Sequence, residues 1–414
     1  MKKRICQAGL QLFIGMLLVG GQVQAVHASG FGIFTQGASA LGQGAAVTAH
    51  GSGPSSIFYN PALLNGLPGT NLEVGTTLIF PDREFTSSAT GMTDKTRDTV
   101  FFPSTFYLSH SFNETVTAGL GVFSPFGLGT TWSNDWEGRY LATKSEMTTF
   151  DINPVISLRV LPELSIAVGA DLVYLNATLE SKVPSFALAI PGPPYDVTQK
   201  FKGSGLGGGF NVGLLYTPVK PLSLGVSYRS QVKIDADGEV TYSVPSPALG
   251  AKTTIKLPQQ LSAGLAYRPT DRLTLEVGTR WEDWASFPNL TLDIAGVGSA
   301  VYPRDWHGTW AVNFGGSYRL NDNVSLLAGY LYGWNPVPDS TFEPAIPDSN
   351  AQLFCVGTDL TFGQLNVALS YAYQRLNDRS KQPNLYDQIV GMPIANGTYE
   401  SSMNMVAVSL GYRF

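Results

Sequence analysis

The sequence predicts an all-β protein, a 14-stranded antiparallel transmembrane β-barrel plugged by a small N-terminal hatch. Three observations lead to that reading. Apolar and polar residues alternate with period two through most of the chain; the links between alternating runs are by turns short and long; and one stretch near the N-terminus does not alternate at all. Of the 414 residues 43% are hydrophobic and only 14% charged, too little charge to keep an all-soluble surface wet. The net charge of -5 gives no reason to expect nucleic-acid binding.

The chain opens "MKKRICQAGLQLFIGMLLVGGQVQAVHASGF", a basic start followed by an apolar core from about Leu10 to Val19 and small residues up to Ala28. Residues 1–28 therefore read as a cleaved signal peptide, since a membrane span needs about 20 apolar residues and this core is shorter. Cleavage takes Cys6 away and leaves Cys355 alone in an apolar run, where packing is its expected role. No other stretch is apolar enough for a helical span.

Residues 29–70 form the second unit. "GASALGQGAAVTAHGSG" is rich in small residues and suits close packing, while "SSIFYNPALLNGL" places an Asn60-Pro61-Ala62 breaker in an apolar stretch. Proline fixes its own backbone and restricts the residue before it, and an Asn side chain can satisfy local backbone groups, so the breaker marks a turn. The segment reads either as a plug folded back into the barrel or as a periplasmic leader with an ordinary Asn-Pro turn.

Residues 71–414 supply the barrel. Strands are expected near 72–80, 99–112, 115–123, 147–161, 164–180, 206–217, 222–237, 258–268, 272–284, 308–319, 323–334, 350–362, 365–376 and 403–414. Trp310, Val312, Phe314 and Tyr318 share one parity against Thr309, Asn313, Ser317 and Arg319, and Leu365, Val367, Leu369, Tyr371 and Tyr373 oppose Gln364, Asn366, Ser370 and Gln374. A soluble sandwich would also alternate, but it has no reason to sort its connections. Here Asn113-Glu114, Pro162-Glu163, Pro269-Thr270-Asp271 and Asn321-Asp322-Asn323 are short turns, whereas 124–146, 181–205, 238–257, 285–307 and 377–402 are long links rich in Pro, Gly, Ser and Asp. Short periplasmic turns and long extracellular loops are the mark of an outer-membrane barrel. The last strand puts Val406, Val408, Leu410, Tyr412 and Phe414 on one face, which suits closure against the first strand.

"GVFSPFGLGTTW" contains Pro125, which lacks a ladder donor, and Gly127 and Gly129, which bend a strand; it is either a kink or the start of a long loop. Phe123, Phe126, Leu128, Trp132 and Trp136 cluster around it, either as an entrance groove for apolar molecules or, for the two tryptophans, as part of the interfacial girdle.

"SGFGIFTQGASALGQGAAVTAHGSGPSSIFYNPALL" resembles the hatch of the FadL-type outer-membrane transporters for long-chain fatty acids and hydrocarbons, whose hatch carries an Asn-Pro-Ala motif. The resemblance recurs in "WEGRYLATKSEMTTFDINPVISLRV", "GFNVGLLYTPVKPLSLGVSYRSQVKIDADGEV", "LPQQLSAGLAYRPTDRLTLEVGTRWEDWASF" and "YGWNPVPDSTFEPAIPDS". It implies a monomeric barrel in the outer membrane of a Gram-negative-type bacterium, plugged by Asn60, Pro61 and Ala62 and their neighbours. It also implies a kink in the third strand at Pro125 and Gly127 that opens the wall sideways. The terminal Phe resembles the signal read by the barrel assembly machinery, and the outer face would meet lipid and lipopolysaccharide. In fatty-acid members a basic residue just after the fifth strand helps bind the carboxylate; Ser181 stands at the matching place, with Lys182 beside it, so the substrate is either a fatty acid held by Lys182 or an uncharged hydrocarbon.

The rival reading is a general diffusion porin for small polar solutes, which would want a constricting loop and an open charged lumen instead of a hatch. After leader removal the histidines are His50, His110 and His307, none in a catalytic or metal-ligand pattern, so no catalytic residue, metal site or cofactor is expected.

Overall fold

In the computed structural model, which describes residues 30–51 and 53–414, the chain forms one closed antiparallel sheet. The expected signal peptide lies outside the described residues. Fourteen staves run in chain order: β1 (Thr70–Ser87), β2 (Ser104–Ser111), β3 (Val116–Phe123, resuming at Gly127–Thr131), β4 (Lys144–Leu161), β5 (Leu164–Pro184) and β6 (Asp196–Val219). They continue as β7 (Leu222–Arg229 and Val232–Tyr242), β8 (Leu249–Leu257 and Gln260–Thr270), β9 (Leu273–Glu282 and Asn289–Ile294) and β10 (Gly298–Pro303 and Thr309–Arg319). The last four are β11 (Val324–Gly333), β12 (Ala351–Phe362), β13 (Leu365–Leu376) and β14 (Gly397–Arg413). Each pairs with the next, and β14 returns to β1 in register from Asn71 opposite Arg413 to Ser87 opposite Gly397, so the sheet has no free edge at the seam.

The burial pattern separates a barrel in lipid from a sandwich in water. Along β4, Phe150, Ile152, Ile156 and Leu158 are exposed while Ser145, Thr149, Asp151, Asn153 and Ser157 are buried. Apolar residues point out and polar residues point in, the inverse of a soluble sheet. Trp310, Phe314, Tyr318, Leu369, Tyr371, Val406 and Leu410 likewise lie on the outer face.

The short turns are held by their own side chains. Asn113 Oδ1 accepts from the amides of Thr115 and Val116 at 2.8 and 2.9 Å, and Asn321 Oδ1 accepts from those of Asn323 and Val324, both at 2.9 Å. The long links are not all loops, which corrects the sequence reading. Residues 181–205, 238–257 and 285–307 are largely β-hairpin: Pro184 still pairs with Asp196, Val240 with Leu249 and Asn289 with Pro303. Alternating Val, Ile and Thr among the Pro and Gly, as in Val240, Thr253 and Ile255, keep these segments in the ladder beyond the apolar band.

The described residues between Phe31 and Leu64 lie inside the barrel. A helix α1 (Ala38–Gly42) packs against β11 to β14, and α2 (Ser56–Tyr59) leads into a 3-10 helix (Pro61–Gly66) that packs against β4, β5 and β6. Residues 35–50 are almost all buried. Two wall glycines let the hatch backbone touch the strands: a methyl on Gly225 would overlap the Thr48 carbonyl, and one on Gly329 the Gln43–Gly44 peptide. Cys355 is buried in the packing between α1 and the wall.

Candidate functional site

The hatch is tied to the wall by buried polar side chains. Asn60, fully buried, caps the 3-10 helix: its side-chain oxygen accepts from the Ala62 amide at 3.1 Å, and its amide donates to the carbonyls of Thr48 at 2.8 Å and of Leu214 on β6 at 3.0 Å. Pro61 follows at the first helical position, where no N–H is needed. Opposite, Glu276 on β9 accepts from the amides of Thr48 and Ala49 at 2.6 and 2.9 Å and contacts His50 Nδ1 at 2.7 Å. Arg229 on β7 pairs with Asp151 at 3.1 Å and with Asp171, and its guanidinium lies 5.7 Å from the Phe58 ring and 5.3 Å from that of Phe123. Between hatch and the β7–β10 wall remains a cavity of about 30 Å³ bordered by Tyr59, Arg229, Gln260 and Arg280.

On the other side of the barrel the ladder breaks. β3 pairs with β4 at Phe123 opposite Asp151, then at Gly127 opposite Thr148. Four steps along β3 match three along β4, so Ser124-Pro125-Phe126 contains a one-residue bulge. Pairing of β2 with β3 stops at Phe106 opposite Val122. Beyond that point the N-terminal segment takes the place of β2: Ile33 donates to the Pro125 carbonyl and Gly127 donates to that of Phe31, both at 2.9 Å, with Gly32 bridged to Phe126. Gln36 Nε2 donates to the Ser124 carbonyl at 2.6 Å. Higher up, the Phe101 ring sits where a side chain on Gly129 would be, and the Arg83 guanidinium on β1 donates to the Gly129 carbonyl at 2.6 Å.

Above the hatch an apolar cluster fills the lumen. Phe31 lies at its base, 4.5 Å between ring centroids from Trp284, 6.0 Å from Trp306 and 6.1 Å from Phe126. Trp132 and Trp136 stack at 4.4 Å and join Phe85, Phe342 and Tyr399. The indoles of this stacked pair are satisfied, Trp132 Nε1 by the Pro344 carbonyl at 3.0 Å and Trp136 Nε1 by that of Ala142 at 2.9 Å.

The residues singled out from sequence are thus divided. Phe126, Trp132 and Trp136 are in this cluster and Leu128 packs against it; both tryptophans are nearly fully buried and face inward, which removes the girdle reading. Phe123 turns instead to the hatch, among Ile57, Phe58, Tyr59 and Tyr107. Lys182 is not brought to the cluster: it has the parity opposite to Leu175 and Ala177, which point inward, and its Nζ donates to Thr198 Oγ1 at 2.8 Å. Sequence reasoning missed Phe31, Phe85, Trp284, Trp306, Phe342 and Tyr399, which come from the hatch or from stretches read as connections or strand ends. Their only signal was large aromatics in segments rich in Pro and Gly.

Comparison with known proteins places this geometry. Residues 18–414 match the family described as "Outer membrane protein transport protein (OMPP1/FadL/TodX)". The 47 kDa outer membrane protein of Pasteurella multocida is 25% identical over 95% of this chain and 94% of its own. The long-chain fatty acid transport protein of Escherichia coli O6:H1 is 23% identical over 86% of each chain. Among solved structures, a Pseudomonas aeruginosa FadL homologue superposes with a TM-score of 0.84 at 20% identity, over 93% of this chain and 100% of that one; for the P. putida toluene transporter TodX the TM-score is 0.72 at 17% identity, over 91% and 98%. A plugged fourteen-stranded barrel and a family match across almost the whole sequence lead to one conclusion: this chain belongs to the FadL/TodX family of outer-membrane transport proteins.

Proposed function

We propose that the protein lets hydrophobic molecules, long-chain fatty acids or related hydrocarbons, cross the outer membrane passively by way of the aromatic cluster and a lateral opening at the β3 kink. The observation that carries this reading is the exchange of partners at the kink, where Phe31–Ile33 stands in for β2 while Phe31 also forms the base of the cluster. A water-filled pore is a poor route for such substrates. Hydrating an alkyl chain costs about 0.8 kcal/mol per methylene, so roughly 10 kcal/mol for twelve carbons. Leaving sideways requires the displacement of two backbone hydrogen bonds, at about 1 kcal/mol net each.

Residues 36–64 act as the plug that closes the direct path to the periplasm, with Asn60, Pro61 and Ala62 seating it against β6. A porin would need that space open, and the hatch fills it. In this reading the barrel is a monomer, which the pairing of β1 with β14 within one chain supports; its outer face meets lipid and lipopolysaccharide, and the β14 terminus with Phe414 is the segment offered to the assembly machinery.

The test is uptake by a host lacking its own transporter of this type, comparing radiolabelled oleate with toluene. Uptake of either above the empty-vector level supports the proposal. Uptake of neither, with entry of small sugars, would overturn it in favour of a porin.

A further inference from the structure

Arg229 and Arg304, both buried, are held by carboxylates, Arg229 by Asp151 at 3.1 Å and Arg304 by Glu343. Arg280 on β9 is not held in this way. It has the inward parity of Glu276 and Glu282, and its side chain is only 13% exposed. Its Nε and Nη2 make no hydrogen bond among the described residues, and both are so enclosed that water cannot touch them, although a cavity of about 30 Å³ lies alongside. Glu282 Oε1 stands 3.8 Å from Nε, too far for a hydrogen bond. That carboxylate is already taken, by Gln260 Nε2 at 2.7 Å and by Trp284 Nε1 at 3.4 Å. What covers the guanidinium is the ring of Phe34, whose centroid is 3.3 Å away. A ring face answers the charge, but it accepts nothing from the N–H groups at the edge of the fork.

Phe34 continues the segment that seals the β3 kink, where Ile33 donates to the Pro125 carbonyl and Gly127 to that of Phe31. The segment is therefore held between two walls, the kink on one side and Arg280 with Glu282 on the other. A methyl on Gly32 would stand 3.1 Å from the Phe34 ring and 3.4 Å from Glu282 Oε1, so the backbone lies close against this pair. Burying donors of a charged group without acceptors is unfavourable. The closed kink carries that cost because Phe34 is in place.

We propose that Arg280 is a positioning residue of this gate: stranded beneath Phe34, it keeps the closed kink close to opening, so that the segment yields to a hydrophobic molecule with no energy source. Lifting the segment takes the ring off the guanidinium and lets water or Glu282 reach its free nitrogens. The inference rests on the proposed route through the kink and adds what keeps that route from being sealed shut. Removing a buried charged side chain ordinarily loosens whatever it touches. Here, removing the arginine tightens the seal, and giving it an acceptor does the same. Ser262 on β8 is the ladder partner of Arg280, so an Asp at that position reaches the guanidinium across the strands.

The experiment is hydrogen exchange at the Ile33 and Gly127 amides, whose bonds across the seal break when the segment lifts. The wild type is compared with Ser262→Asp and with Arg280→Met combined with Glu282→Gln, the second change sparing a lone buried carboxylate. Folded barrel is matched by its shift in gel mobility on heating. Both variants are expected to slow exchange at these amides roughly tenfold or more, the worth of one stranded donor, with β13 unchanged, and to slow oleate uptake. Unchanged or faster exchange in both would mean that Arg280 plays no part or clamps the segment through Phe34. Slower exchange in Ser262→Asp with faster exchange in the Arg280→Met pair would show an ordinary stabilising cation; any of these overturns the inference. Ser262→Asp keeps the arginine and decides alone if the other variant fails to insert. The exchange rates are read without substrate, so they judge Arg280 separately; wild-type cells taking up neither oleate nor toluene would overturn the proposed function instead.

Discussion

Replacing Asn60 with Ala should loosen the hatch without loosening the barrel. The side chain is fully buried and makes three hydrogen bonds, at 2.8, 3.0 and 3.1 Å. Alanine leaves the Thr48 carbonyl and the Ala62 amide without this partner in a place water does not reach. Each stranded group costs about 1–3 kcal/mol, so about 3 kcal/mol is a moderate value for the pair. That is roughly a 150-fold rise in the undocked fraction of the hatch, at 1.4 kcal/mol per decade. Hydrogen exchange reads this quantity directly, because amides that exchange through hatch opening lose protection by the same factor. The amides of Gly44, Ala46 and Leu63, which donate to Leu41, Gln43 and Asn60, are suitable reporters, and those of β13 serve as the barrel control. Unchanged protection in the hatch would refute the reasoning, as would an equal loss in β13, which would mean that hatch and wall open together.

Deleting residues 31–66 should leave a barrel that inserts but conducts ions freely in planar bilayers; a conductance as low as that of the intact protein would contradict the plug. Gly127→Val should lower hydrophobic uptake with normal insertion, because even a methyl there would stand 2.7 Å from Ile33 Cδ1 and further bulk fills the gap; uptake at the wild-type rate would place the opening elsewhere. Burial pushes the Asp348 carboxyl up to about 7, against the lowering effect of the Gly30 and Ser349 amides and of Arg379 and Arg83. A raised value means that the folded chain holds this proton more tightly than the unfolded one, so the stabilisation is full near pH 4 and lost as pH rises through about 7. Proteolysis of the β11–β12 link should accordingly be slower at pH 5 than at pH 8, and Asp348→Asn should abolish that difference; an identical pH dependence in Asp348→Asn would assign it to other groups.

The staves were legible because the membrane imposes a rule with a short period. Outward residues must be apolar along the whole band, so Trp310, Phe314 and Tyr318 announce β10 by themselves. The hatch was legible as a break in that rule. What lies above the band was not, because there the outer face meets water and no outward apolar residues are required, so the hairpin continuing through residues 238–257 read as a loop. The same reason hid the cluster. Phe31, Trp284, Trp306 and Phe342 are separated by as many as 311 residues and are brought together only by closure of the barrel. Pro125 and Gly127 pointed to the kink, yet what seals it is the pairing of Phe31–Ile33 across the gap, which no local pattern encodes. Lys182 was misplaced because β5 runs on to Pro184, which sets its parity outward; Arg83, within a strand read as ending near 80, drew no notice.

The most direct test of passage through the kink is to lock it. Gly32 and Phe126 are bridge partners not hydrogen-bonded to each other, the close pair geometry that a disulfide accepts. In a Cys355→Ala background, Gly32→Cys with Phe126→Cys can be oxidised to fix the N-terminal segment in the gap, and uptake of labelled oleate measured before and after reduction. The account predicts uptake near the empty-vector level in the oxidised protein and recovery when the bond is reduced. Equal uptake by the fully oxidised and the reduced protein would contradict it.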